Sequence, residues 1–118
     1  MYLRQRLHSL INAGRGLLWL LRNEPHFRIH VLAVATVCCL ATVTGVSRAE
    51  WIILILIMTL VICLEALNTA LEKLADALHP DRHPLVGIAK DAAAAGVLVS
   101  AVSSVIIGAL IFIPHWGG

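Results

Sequence analysis

From Trp51 to Leu64 the chain runs fourteen residues without a charge, and it then sets Glu65, Asn68, Glu72 and Asp76 at helical spacing. At about 100° per residue, these four positions fall on one narrow helical face. Ionisable groups in or beside a membrane are costly, and function is the default reason for keeping them. Carboxylates in line also suit a divalent metal, and Mg²⁺ with its phosphate ligands is the usual guest. The plainer reading of a charged helix end is that it is simply wet. That covers Lys73 and Asp76. It does not cover Glu65, which directly follows the uncharged run.

Composition points the same way. Of 118 residues, 59% are hydrophobic and 14% are charged, against about half and about a quarter in soluble domains. The length suits one domain, residues 1–118. A net charge of +2 and the lack of a basic tract exclude a nucleic-acid reader. Cys38, Cys39 and Cys63 all lie in apolar runs without a CxxC pair or a Cys/His cluster, and read as reduced packing residues. No secretory signal is visible: five arginines spread through the first 28 residues.

The pattern predicts four helices in an all-α membrane protein. Residues 1–23 form an amphipathic helix, with Leu3, Leu7, Leu10, Leu17, Leu18 and Leu21 on one face. Arg4, His8, Arg15 and Arg22 lie on another, which suits a helix lying in the membrane interface. Asn23-Glu24-Pro25 breaks it, with Asn23 as the candidate N-cap of the next helix. Membrane helices are then expected over 24–47, 51–78 and 85–113. The second of these would be about 42 Å long, beyond the ~30 Å hydrocarbon core. Its last third, with Glu72, Lys73 and Asp76, must leave the lipid. Residues 114–118 read as a frayed end with an interfacial Trp116. Arginine and lysine concentrate before residue 29 and in the 79–90 region, so the N-terminus and the 79–84 loop are expected in the cytoplasm. Gly96, Ser100, Ser104 and Gly108 repeat at spacing four, a seam for close helix contact within or between chains.

Lys90-Asp91 falls level with Glu72. A lysine facing carboxylates can clamp phosphate, and the plainer alternative is a salt bridge with Asp76 or Glu72. His79 and His83 read as loop residues. Gly14-Arg15-Gly16 is too little for a phosphate loop, and GxxxxGK[ST], GxSxG, HExxH and the kinase HRD/DFG set are absent.

In order and spacing, three blocks resemble the small bacterial integral-membrane lipid kinases, the diacylglycerol kinase and undecaprenol kinase family. They are Asn23-Glu24-Pro25-His26-Phe27-Arg28, then Glu65-Ala66-Leu67-Asn68-Thr69-Ala70-Leu71-Glu72 with Asp76, then Ala89-Lys90-Asp91. The resemblance covers nearly the whole chain. It implies a surface helix plus three membrane helices, a homotrimer, and sites between protomers at the cytoplasmic face of the bacterial inner membrane. It implies ATP as co-substrate and Mg²⁺ as cofactor. Glu65 matches the base that takes the lipid hydroxyl's proton. Asn68 matches the amide of the same motif, and Lys90 a residue that engages the nucleotide. Glu24 and Glu72 match the metal-holding carboxylates. Asp76 matches the trailing acid, Asp91 the partner of Lys90, and Asp81, Arg82 and His83 the loop beside the nucleotide. Asn12 departs from the pattern, standing where a tyrosine is common.

Phe27-Arg28-Ile29-His30 and the Lys90–Leu98 stretch look more like the undecaprenol kinase branch, which favours a polyprenol over diacylglycerol as the lipid alcohol. Two readings of another class stand beside the kinase. One is a small proton-coupled transporter that uses a single membrane glutamate. The other is a scaffold that binds anionic lipid through the arginine face.

Overall fold

A computed structural model describes residues 1–117. Its helices are α1 (Tyr2–Asn23), α2 (Pro25–Thr44), α3 (Arg48–Leu78) and α4 (Pro84–Trp116). No strand occurs among the described residues. The architecture is all-α, and α2, α3 and α4 are each long and apolar enough to cross a membrane. α1 is amphipathic and buries none of its residues within the chain.

Helix ends differ from expectation for local reasons. Asn23 closes α1 instead of capping α2: its Nδ2 donates to the Trp19 carbonyl at 2.9 Å. Glu24, in extended conformation, is the N-cap residue of α2, with Pro25 in the first turn, where a missing N–H costs nothing. Arg28 Nη1 then donates to the carbonyls of Leu21 at 3.2 Å and Arg22 at 3.0 Å. It satisfies acceptors that the end of α1 would otherwise leave open, and so fixes the corner between α1 and α2.

At the opposite end of the bundle, α2 stops at Gly45, whose φ of +75° is left-handed and favours glycine. Ser47 caps α3 through a capping box, so the helix starts at Arg48, three residues before Trp51. Its Oγ accepts from the Glu50 N–H at 3.1 Å, and Glu50 Oε1 accepts from the Ser47 N–H at 2.9 Å. The same Glu50 Oε1 lies 2.9 Å from His115 Nε2. Trp116 Nε1 donates to Thr44 Oγ1 at 3.0 Å. These contacts hold the last turn, so α4 runs through Pro114 to Trp116 and does not fray at Ile113. Gly118 lies outside the described residues.

The apolar core sits at this end. Ala41, Val46, Leu54, Ile111 and Phe112 are buried together, with Val37, Trp51, Met58 and Ile107 packed on them. The small-residue seam is only partly a contact. Ser100 is buried at 4% exposure and its hydroxyl donates to the Val97 carbonyl. A Cβ at Gly96 or Gly108 would meet nothing within 4 Å. In place of a tight seam, Ala101, Ser104 and Gly108 help to line an apolar groove of about 260 Å³ between α2, α3 and α4.

This contrast is testable. Gly45→Ala meets no neighbour but forces a Cβ into left-handed backbone, and should lower stability by about 1–2 kcal/mol. Gly108→Ala should instead raise it by about 0.5–1 kcal/mol through helix propensity. Equilibrium unfolding in mixed micelles reads both, and a loss at Gly108 equal to that at Gly45 would mean that the groove is filled.

Candidate active site

The inward face of α3 is one continuous stripe. Leu54, Val61, Glu65 and Thr69 are its buried residues, and Met58 packs on the core between them. Asn68, Glu72 and Asp76 prolong the stripe at the same helical angle. It changes chemistry at Glu65 without changing direction. That places the first carboxylate among residues selected for packing, and the next two progressively nearer the 79–83 loop.

Glu65 is 6% exposed. Facing it from α2, His30 Nε2 lies 3.6 Å from Glu65 Oε2, an ion-pair separation and too long for a hydrogen bond. His30 also lines the head of the apolar groove, whose far end is Phe112. One turn beyond Glu65, Asn68 Nδ2 donates to Glu72 Oε1 at 3.3 Å, while Asn68 Oδ1 is buried without a hydrogen-bond partner. A buried acceptor left open is costly. It marks the place where a donor from outside the chain would fit.

Glu24 belongs to the same level. Its Oε1 lies 3.5 Å from Lys73 Nζ, and that ammonium sits 5.7 Å from the centre of the Trp19 ring. Lys73 follows Glu72 in sequence, so it brings the start of α2 and the end of α1 beside the carboxylate stripe. Among the described residues no three His, Cys, Asp or Glu side chains gather into a metal cage.

Asp76 Oδ1 and Lys90 Nζ are 2.5 Å apart, the salt bridge weighed as the plainer reading of Lys90. Beside it lies a cleft of about 200 Å³, lined by Asp76, His79, Asp81, Arg82, His83 and Lys90 among others. Both signs of charge meet there. The His79 and His83 rings are 5.4 Å apart. His83 has a structural task as well: its Nδ1 accepts from the Leu85 N–H at 3.2 Å and caps α4. Asp91 is exposed and enters no ion pair among the described residues.

The chain therefore groups the expected residues into three neighbourhoods along α3: Glu65 with His30, then Asn68 and Glu72 with Glu24 nearby through Lys73, then Asp76 and Lys90 at the loop cleft. Sequence reasoning missed His30 and undervalued Lys73. The available signal for His30 was its place as a lone imidazole at the head of the apolar stretch that starts at Ile29.

The chain is similar to known proteins along most of its length. The model of the family described as prokaryotic diacylglycerol kinase matches residues 11–112. Undecaprenol kinase of Bacillus subtilis is 42% identical over 106 residues, covering 90% of this chain and 86% of that one. A diacylglycerol kinase of Haemophilus influenzae is 32% identical over 117 residues, covering 95% of this chain and 99% of that one. A diacylglycerol kinase of Synechocystis is 35% identical over 109 residues, 92% of this chain, and the match spans 62% of that longer relative. The chain belongs to the prokaryotic diacylglycerol kinase family and is a lipid kinase of the membrane.

Proposed function

We propose that this enzyme transfers the γ-phosphoryl group of Mg-ATP to the hydroxyl of a membrane lipid alcohol, with undecaprenol favoured and diacylglycerol the alternative. The observation that carries the reading is the single stripe on α3. It joins a buried carboxylate, Glu65, to a charged cleft at the 79–83 loop. A lipid hydroxyl cannot leave the bilayer and a nucleotide cannot enter it. One helix face that passes from apolar to charged is where the two can meet. The undecaprenol preference rests on the 42% identity to the Bacillus subtilis undecaprenol kinase, and the alternative on the diacylglycerol kinases among the relatives. Membership of a kinase family sets the transporter and scaffold readings aside.

Phosphoryl transfer asks a protein for positioning and charge neutralisation more than covalent chemistry. In this proposal Glu65 takes the proton of the lipid hydroxyl as its oxygen attacks the γ-phosphorus and ADP departs. Asn68 donates through Nδ2 to Glu72 and so positions that carboxylate, while its Oδ1 stays open. Lys90 exchanges Asp76 for a phosphate oxygen when nucleotide fills the cleft. Asp81, Arg82, His83 and Asp91 border the nucleotide. Glu24 and Glu72 are the carboxylates that hold Mg²⁺. This donor set fits the ion, which commonly keeps one or two carboxylates and completes its shell with water and phosphate oxygens. Bound with ATP, the metal supplies neutralisation of phosphate charge.

Placement in the bacterial inner membrane, with the N-terminus and the site cytoplasmic, is part of the same proposal and rests on the basic residues near both. So is assembly as a homotrimer with shared sites. The physical support for that assembly is one buried acceptor left open. Glu65 is already covered by its own chain, and the open group is Asn68 Oδ1.

Replacing Glu65 with Gln preserves shape and removes the base. Lipid phosphorylation should fall at least about 100-fold, while ATP binding, read by calorimetry, stays near wild type; undiminished turnover removes Glu65 from the chemistry. For topology, single cysteines at Arg48 and Arg82 in a chain lacking Cys38, Cys39 and Cys63 should label from opposite membrane faces, with position 82 on the cytoplasmic side. Arg48 spares the Ser47 cap. Labelling of both from one face contradicts the three-span arrangement.

A further inference from the structure

The proton that Glu65 takes must leave before the next turnover, and the carboxylate has little contact with water. It is 6% exposed. Its neighbours on α3, Leu64 and Ala66, carry no charge, and Glu72 is about 10 Å further along the helix axis. Among the described residues, one basic side chain stands within ion-pair distance of it: His30 on α2, with Nε2 at 3.6 Å from Oε2. The His30 side chain is 22% exposed against 8% for that of Glu65, so the imidazole is the more accessible member of the pair.

The other surroundings of His30 supply no competitor. From α3, Glu65 is the ionisable group that faces it. Around the groove head α4 contributes Ala101, Ser104 and Val105, none of them ionisable. On α2 itself, His26 lies one turn earlier and is exposed. α1 carries no carboxylate that could pair with it.

Resting on the kinase reading above, we infer that His30 is the proton outlet of Glu65. The lipid hydroxyl loses its proton to the Glu65 carboxylate as the new oxygen–phosphorus bond forms and the bond to ADP breaks. The Glu65 carboxyl then passes that proton from Oε2 to the unprotonated Nε2 of His30. The imidazolium releases a proton to water, and both side chains return to their starting states. The 3.6 Å separation is that of the unloaded enzyme, and such contacts tighten when substrates bind. His30 acts through Glu65, so its removal should slow turnover and leave substrate binding intact.

The full-length enzyme in vesicles containing undecaprenol, with ATP and Mg²⁺, tests this. The measured quantities are kcat and KM across pH for wild type, His30→Gln and Glu65→Gln. His30→Gln should keep both KM values within about twofold and lower kcat by about 10- to 100-fold, the scale on which partners of a reacting group act. The pH profile of kcat should change with it. In His30→Ala, added imidazole should restore part of the lost kcat. If His30→Gln keeps wild-type kcat and pH profile while Glu65→Gln is inactive, the outlet is wrong and the base assignment stands. Failure of imidazole to restore His30→Ala also overturns the outlet. If Glu65→Gln itself turns over normally, the base assignment fails and the outlet falls with it.

Discussion

The structure depends on the burial of one carboxylate. Glu65 stands on a helix whose preceding turns are apolar and packed, and it is covered by its own chain. Taking a charge out of water is costly, so the surroundings of Glu65 have to be specific. They are specific in what they contain and in what they leave out: an imidazole on one side, an amide with an open acceptor one turn away, and no lysine or arginine in contact among the described residues. A lysine bound to Glu65 would hold it as a spent ion pair. The cations are instead placed further along, where Lys73 meets Glu24 and Lys90 meets Asp76. There they can be given up to phosphate at a smaller desolvation cost.

The two ends of the bundle divide the work. Around Gly45 and Ser47 the helices are clamped by a left-handed glycine, a capping box, the Glu50–His115 contact and the Trp116–Thr44 hydrogen bond. The apolar core lies against that clamp. The other end is held by exchangeable contacts, above all Lys90–Asp76 and Lys73–Glu24. Exposed ion pairs of this kind contribute little to stability, which suits the exchange of partners proposed for them on nucleotide binding. A site at the loosely held end, on helices aligned by the other, can admit ligand without disturbing the core.

Much of this was legible in the sequence because helical periodicity and the cost of charge in lipid act locally. The long apolar stretches gave the helices, and the spacing of Glu65, Asn68, Glu72 and Asp76 gave the stripe. What escaped depends on contacts between distant segments. Nothing in the sequence near residue 30 says that its imidazole faces Glu65. Nothing near Pro114 says that Glu50 and Thr44 will hold the helix together beyond it. Asn23 looked like a cap because its residue type suits one, but its amide turned back to Trp19 while Arg28 took over the corner. The glycines of the small-residue seam looked like sites of close approach and border open space, Gly108 because it lines the groove between the helices and touches no neighbour there.

The central claim is that the α3 stripe brings a bilayer-bound hydroxyl to a nucleotide. Its most direct measurement follows label from γ-phosphate-labelled ATP into vesicles holding equal amounts of undecaprenol and diacylglycerol. The account predicts labelled lipid whose formation requires Mg²⁺, with undecaprenyl phosphate formed faster than phosphatidate. Label that reaches only water as inorganic phosphate, with neither lipid modified, would contradict it.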